Sequence, residues 1–358
     1  MTISVVTLPG DGIGPEVAVQ AIHVLRAVAD MASLQSLSIK ECLVGGAAID
    51  QLGVPLPEET LKACSEADAI FLGAVGGPKW KDVDVKIRPE QGLLDLRKSL
   101  GLFANLRPVT AHASLSSLTP FKANHLSGLD IMVVRELTGG LYFGKRGRNS
   151  NEAYDTCVYT VPEIERIARL AGKLAKSRNQ KVTSVDKANV LDTSRLWRET
   201  VERIFKNEFP DIHLDHIYVD AAAMYLISRP ETFDVILTEN MFGDILSDEA
   251  SMLAGSLGLL PSASLGAKGP GLFEPIHGSA PDIAGKGIAN PCGAILSIAM
   301  MLRHTLNKPE AAKAIEQAVT KTLGSGILTA DLTDANNAVS TEEFGTAVIN
   351  AINLEQTN

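Results

Sequence analysis

Short apolar, β-branched runs recur along the chain, each followed by a stretch of helical spacing or a glycine-rich loop. ISVVTL (3–8), AIFLG (69–73), DIMVVRE (130–136), KVTSVD (181–186), HIYVD (216–220) and DVILTE (234–239) are each the length of one strand. Strands separated by helices must be joined by crossovers, and crossovers leave neighbouring strands parallel. An α/β protein rich in parallel sheet is therefore predicted. At 358 residues the chain exceeds what one simple core holds, which predicts two domains or one large α/β unit. Two segments read as surface connections, TAHASLSSLTP (110–120) and GKRGRNSNEAYD (144–155). The second is followed by the strand-like TCVYTV (156–161) and suits an arm as well as a linker.

Composition narrows the function classes. A net charge of −9 argues against a nucleic-acid binder, and any anionic ligand must be held by a local basic cluster. Cys42, Cys64, Cys157 and Cys292 are widely spaced with no CxxC pair, which predicts reduced thiols, neither a disulfide framework nor a zinc site. The apolar run Ile3–Leu8 is too short for a signal peptide and has no basic residues before it. No stretch approaches a membrane span, and AILSIAMML (294–302), closed by Arg303 and His304, reads as a buried helix. The expected location is the cytoplasm, with neither membrane nor nucleic acid as a partner.

The first motif, TLPGDGIGPEV (7–17), lies between a strand and a helix, where a dinucleotide fingerprint would sit. It fails that test. Gly10 and Gly12 fit G-x-G-x-x-G, but the third position is Pro15, with Gly14 one place early. Pro15 and Glu16 make a good helix start, and Glu16 there would repel a pyrophosphate. A tight strand-to-helix turn and a ligand contact both fit the loop; a Rossmann phosphate cradle does not. Val17, Ala21, Val24, Leu25 and Val28 supply the core-facing stripe of the helix that follows.

The densest chemical signal is TENMFGDILSDEASMLAGSLGLLPSASLG (238–266). Asp244 and Asp248 are four apart in a helical segment, so their carboxylates share a face and repel unless a cation lies between them. Hard divalent ions take such oxygen ligands. A lone D-x-x-x-D is more often a solvated helix face, but Ala250, Met252, Leu253 and Ala254 make this segment read as buried. Asp220 ends the run HIYVD and could be a ligand group or a helix N-cap. Arg97, Arg107 and Arg135 carry forks suited to carboxylates, and three together would hold a di-acid; Tyr142 lies near Arg135 in sequence. Lys187 directly follows a strand, a position from which a lysine near a metal can act as a base. EPIHGSAPDIAGKGIANP (274–291) has little helix or strand character and lets backbone approach a ligand closely.

Together with GAVGGPKW (73–80), RELTGGLYFG (135–144) and DKANVL (186–191), these motifs resemble the isocitrate/isopropylmalate β-decarboxylating dehydrogenase family. The likeness runs from about Ile3 to about Phe344. It implies a two-domain isopropylmalate/isocitrate dehydrogenase-like fold with parallel-rich sheets, distinct from the Rossmann fold. Residues 1–102 with 256–358 would form the first, cofactor-side domain. Residues 103–255 would form the second, which carries metal and substrate groups, the dimer contact and an arm near 144–160. It also implies a homodimer whose active sites are shared between subunits.

The resemblance further implies NAD-dependent oxidative decarboxylation of (2R,3S)-3-isopropylmalate to 4-methyl-2-oxopentanoate, a step of leucine biosynthesis. A sibling activity on D-malate, tartrate or another substituted malate is the alternative. Arg97, Arg107 and Arg135 would bind the substrate carboxylates. Asp244 and Asp248, with Asp220 of the other subunit, would hold Mg²⁺ or Mn²⁺. Lys187, also from the other subunit, would be the base, and Tyr142 would protonate C3. Leu93, Leu94 and Val190 would line an isopropyl pocket bordered by Glu90. An isocitrate enzyme needs polar groups there, and stranding its third carboxylate on leucines would cost on the order of several kcal/mol. Gly76, Gly77 and Pro78 would lie near the nicotinamide. Glu274, His277, Gly278, Ser279, Ala280, Asp282 and Asn290, with Ile13, would line the rest of the cofactor site. Asp282 would favour NAD⁺ over NADP⁺ by repelling a 2′-phosphate, and Ile283 offers it no basic or tyrosyl contact.

Overall fold

A computed structural model describes residues 2–32, 34, 36–121 and 123–356. The chain divides into two compact units, Met1–Leu102 with Gly255–Asn358 (the terminal unit) and Phe103–Ala254 (the central unit). It opens with β1 (Ile3–Gly10), α1 (Gly14–Ala27), β2 (Leu37–Glu41), α2 (Gly45–Leu52), α3 (Glu58–Glu66), β3 (Ala69–Ala74) and α4 (Pro89–Ser99). The central unit contributes β4 (Ala104–Thr110), α5 (Ala123–Leu126), β5 (Asp130–Glu136), β6 (Arg146–Arg148), β7 (Ala153–Asp155) and α6 (Val161–Lys176). It continues with β8 (Lys181–Asp186), α7 (Asp192–Glu208), β9 (His213–Tyr218), α8 (Val219–Ser228), β10 (Val235–Thr238) and α9 (Asn240–Ser251). The chain then returns to the terminal unit with β11 (Pro261–Leu265), β12 (Gly271–Pro275), α10 (Cys292–His304), α11 (Pro309–Gly324) and α12 (Thr341–Gln356).

In the terminal unit the strand order is β2-β1-β3-β12-β11, parallel except for β11. Alternation along the strands builds two apolar faces. Val6, Leu8, Ile70, Leu72 and Leu272 meet Cys64 of α3 and Leu96 of α4 in one core. The interleaved residues Val5, Phe71 and Phe273 are equally buried. Helices α1, α10, α11 and α12 pack together. The expected stripe of α1 is real: Val17, Ala21, Val24, Leu25 and Val28 are fully buried. Residues 294–302 lie within the buried helix α10. Among the described residues, no helix is long and apolar enough to cross a membrane.

In the central unit the order is β4-β5-β10-β8-β9, with β4 antiparallel and the rest parallel. One face carries a core of Ile131, Val133, Val185, Ile236, Ala222, Leu246 and Leu253, which seats α8 and α9. On α6 and α7, Ile164, Ile167, Trp197 and Val201 are buried, and Trp197 stands edge-on to Tyr159 at 5.5 Å.

Two local expectations are corrected. TCVYTV is not a strand: Thr160 and Glu163 form a capping box, Pro162 sits in the first turn, and these fix Val161 as the start of α6. The pairing lies earlier, in an exposed antiparallel hairpin of β6 and β7, whose turn closes when Asn149 Oδ1 accepts the N–H groups of Asn151 and Glu152. The run HIYVD ends as a strand at Tyr218. Asp220 therefore falls in the first turn of α8, and Tyr218 takes the N-cap position. A carboxylate there complements the helix dipole.

Candidate active site

In a parallel sheet, ligand groups gather beyond the carboxyl ends of the strands. In the terminal unit β1, β3 and β12 end at Gly10, Ala74 and Pro275, so the 10–16, 76–80 and 276–291 loops issue from one edge. These loops are bonded to one another. Ile13 N–H donates to the Ser279 carbonyl (2.8 Å), and the Glu16 carboxylate accepts Gly287 N–H (3.0 Å). Gly12 has φ +60°, and a Cβ there would lie 1.9 Å from the Ser279 oxygen, so only glycine permits this approach. Ile13 itself is buried.

His277 is the most telling side chain of the third loop. Burial pushes its pKa down, keeping the imidazole neutral. With the proton on Nδ1, facing the Gly278 carbonyl at 2.9 Å, Nε2 is a buried acceptor with no partner among the described residues. An orphaned acceptor costs stability unless a ligand donor meets it. Ala280 takes φ +37°, Ser279 is buried, and Asp282 is exposed. Asn290 is buried and engaged at both ends, donating to Asp331 (3.0 Å) and accepting from Cys292 N–H (3.0 Å). Glu274 lies at the end of β12 and pairs with Arg97. Glu90 approaches Gly76 so closely that a Cβ there would lie 2.6 Å from its carboxylate. Leu93 is half-buried against the Val6–Leu96 core, and Leu94 is exposed.

The central unit gathers two constellations. In the first, Arg135 at the end of β5 gives Nη1 to Asp244 and both Nε (3.0 Å) and Nη2 (2.8 Å) to Asn240 Oδ1. Tyr142 Oη donates to the other Asp244 oxygen at 3.0 Å. Burial, then the Asp244 carboxylate, push the phenol's pKa up, so it keeps its proton at neutral pH. One turn along α9, Asp248 accepts from Arg107 Nη1 at 2.9 Å, which also reaches Ser247 at 2.8 Å. Asp244 and Asp248 do share a face, and each holds an arginine. The buried setting expected around them is corrected in part. Ala250, Leu253 and Ala254 are buried, but Met252, just past the end of α9, is 53% exposed. In the second constellation, the Lys187 ammonium beyond β8 pairs with Asp220 and holds its carboxyl below the usual range. Val190, 60% exposed, closes a turn onto the Lys187 carbonyl.

Fit to a divalent metal is partial within one chain. Asp244 and Asp248 are hard oxygen donors one turn apart. Among the described residues, no group of three or more His, Cys, Asp or Glu side chains is placed to hold an ion.

Three contributors escaped the sequence reading. Asn240 spends its amide N–H groups on the carbonyls of Leu137 and Gly139 (3.2 and 3.1 Å), so its oxygen is locked toward Arg135. Its place one turn before Asp244 was the available signal. Asp11 accepts three backbone N–H bonds, described below. Gly243 lies where α9 crosses β5, and a Cβ there would come within 2.2 Å of Thr238 Oγ1 and 2.7 Å of Arg135 Cγ. Gly243→Ala is expected to cost about 1–3 kcal/mol in urea unfolding and to raise substrate KM by displacing Arg135.

The parallel-rich sheets and the polar groups gathered at their carboxyl edges are those of an α/β protein of the enzyme class. Residues 4–348 match the family model described as isocitrate/isopropylmalate dehydrogenase. A 3-isopropylmalate dehydrogenase of Anaeromyxobacter dehalogenans is 58% identical over 337 residues, covering 93% of this chain and 95% of the relative. One of Halalkalibacterium halodurans is 56% identical over 358 residues, 98% of each chain. Among solved structures, an isocitrate dehydrogenase of Methylococcus capsulatus matches with a TM-score of 0.85 and 37% identity, covering 98% of this chain and 99% of that one. The chain belongs to the isocitrate/isopropylmalate dehydrogenase family.

Proposed function

We propose that this chain oxidises and decarboxylates (2R,3S)-3-isopropylmalate with NAD⁺, yielding 4-methyl-2-oxopentanoate and CO₂ in leucine biosynthesis. The observation that carries the reading is the joining of Arg135, Tyr142 and Asp244, with Arg107 and Asp248 one turn along the same helix. The relatives at 54–58% identity are named 3-isopropylmalate dehydrogenase, whereas the solved isocitrate enzyme stands at 37%. Exposed Leu94 and Val190 support an apolar substituent, since neither could pair with a third carboxylate.

Arg97, Arg107 and Arg135 bind the two substrate carboxylates, and Asn240 keeps the Arg135 fork turned correctly. Asp244 and Asp248, with the partner subunit's Asp220, would hold Mg²⁺ or Mn²⁺, which would supply Lewis-acid stabilisation of charge developing on the substrate oxygen. The partner subunit's Lys187 receives the C2 hydroxyl proton through a water. Gly76, Gly77 and Pro78 would hold the nicotinamide end of NAD⁺, which would take the hydride from C2. Neutral His277, with Ser279, Asp282 and Asn290, lines the adenosine side, where Asp282 disfavours a 2′-phosphate. After loss of CO₂, Tyr142 Oη protonates C3. The exposed β6–β7 hairpin serves as the arm of a homodimer, consistent with a third metal donor from a second chain. The free thiols of Cys42, Cys64, Cys157 and Cys292 support a cytoplasmic enzyme.

An assay of NADH formation tests the reading. With 3-isopropylmalate and Mg²⁺, kcat/KM is expected to exceed that for D-malate and isocitrate by at least about 10²-fold. Exhaustive chelation should abolish turnover and added Mn²⁺ restore it; equal rates on D-malate, or turnover without metal, would refute the assignment.

A further inference from the structure

We infer that Asp11 is a positioning residue for the dinucleotide, acting through the Gly76–Trp80 loop it holds. The inference rests on the cofactor reading above and deepens it. Asp11 is 4% exposed. Its carboxylate accepts from Gly76 N–H (2.8 Å), Gly46 N–H (2.8 Å) and Ala47 N–H (2.7 Å). The last two are the first-turn amides of α2, whose dipole favours an anion there. One acid thus joins the end of β1, the start of α2 and the loop after β3.

The far end of the same loop is tied to the same helix. Asp50 of α2 receives Lys79 Nζ and Trp80 Nε1 (3.1 Å). The Trp80 ring covers Gly46 so closely that a Cβ there would lie 2.1 Å from it. Asp11 and Asp50 therefore clamp the loop at both ends on α2. The residues that follow Asp11 fix the other cofactor loop, through Ile13 to Ser279 and Glu16 to Gly287. The opening motif places both loops without cradling a phosphate. Three N–H donors converging on one group require an acceptor without hydrogens, which a carboxylate is and an amide is not.

Asp11→Asn and Asp50→Asn, each in the full-length protein, test the clamp, with NADH affinity read from its own fluorescence. D11N is expected to weaken NADH binding about tenfold or more, and D50N about two- to fivefold. KM for 3-isopropylmalate should stay within about twofold, and amide exchange at 76–80 should quicken in both. A folded variant with unchanged NADH affinity would overturn the inference, as would equal weakening of both ligands, the signature of a merely structural role. Should D11N fail to fold, the exposed D50N site decides by the same criteria. Wild-type protein that binds no NADH would overturn the cofactor reading itself, a result evident before any variant is compared.

Discussion

Tyr142→Phe is expected to lower steady-state kcat by about 10²–10³-fold while leaving the first hydride transfer largely intact. The phenol stands beside Asp244 as a neutral donor, because burial and the Asp244 carboxylate hold its proton in place. Its loss should strand the reaction after decarboxylation, with the enol of the product waiting for a proton. Rapid mixing would then show a burst of NADH near one equivalent per site, followed by a slow phase. A variant that loses burst and steady state together would assign Tyr142 to binding. The pH profile adds a check: activity of the parent should persist above neutrality, since the raised phenol pKa delays loss of the proton.

Lys187→Met should lose about 10²–10⁴-fold in kcat with no burst, because the hydroxyl proton has no acceptor. The larger test comes from mixing the two variants. Lys187 pairs with Asp220, while Tyr142 pairs with Asp244. If the first pair serves the partner's site, a heterodimer of K187M and Y142F contains one site with both native groups. Random reassortment should then restore about a quarter of parental activity. If each chain furnished its own complete site, every site would keep one lesion and mixing would restore nothing.

Which parts of this were readable in advance follows from the range of each interaction. The α/β class, the α1 stripe and the shared face of Asp244 and Asp248 depend on residues two to four apart, where periodicity speaks directly. TCVYTV was misread because β-branched residues raised a strand expectation that capping chemistry overrode; Thr160, Pro162 and Glu163 were the better guide. The strand in HIYVD ends at Tyr218, an N-cap with no side-chain cap to mark it in the sequence. The work of Asp11 could not be read at all, since its three donors lie 35, 36 and 65 positions away. For the same reason the arginine partners of the two α9 aspartates, 109 and 141 positions upstream, became visible only in three dimensions.

The discontinuity of the terminal unit has a consequence for biosynthesis. Strand β3 is buried along its whole length, and one of its two neighbours, β12, leaves the ribosome roughly 200 residues later, on the order of 10–40 s at ordinary elongation rates. Until then the nascent chain carries β1, β2 and β3 as a half-sheet with an open apolar edge, the kind of surface that recruits other strands. Residues 103–254, being continuous, emerge complete within that interval. The ribosome thus delivers the central unit first, and the terminal one waits, unfinished, for the last third of its message. Chaperone demand during synthesis should therefore concentrate on the first hundred residues, and a circular permutant joining the two ends and opening near 102 should shorten it.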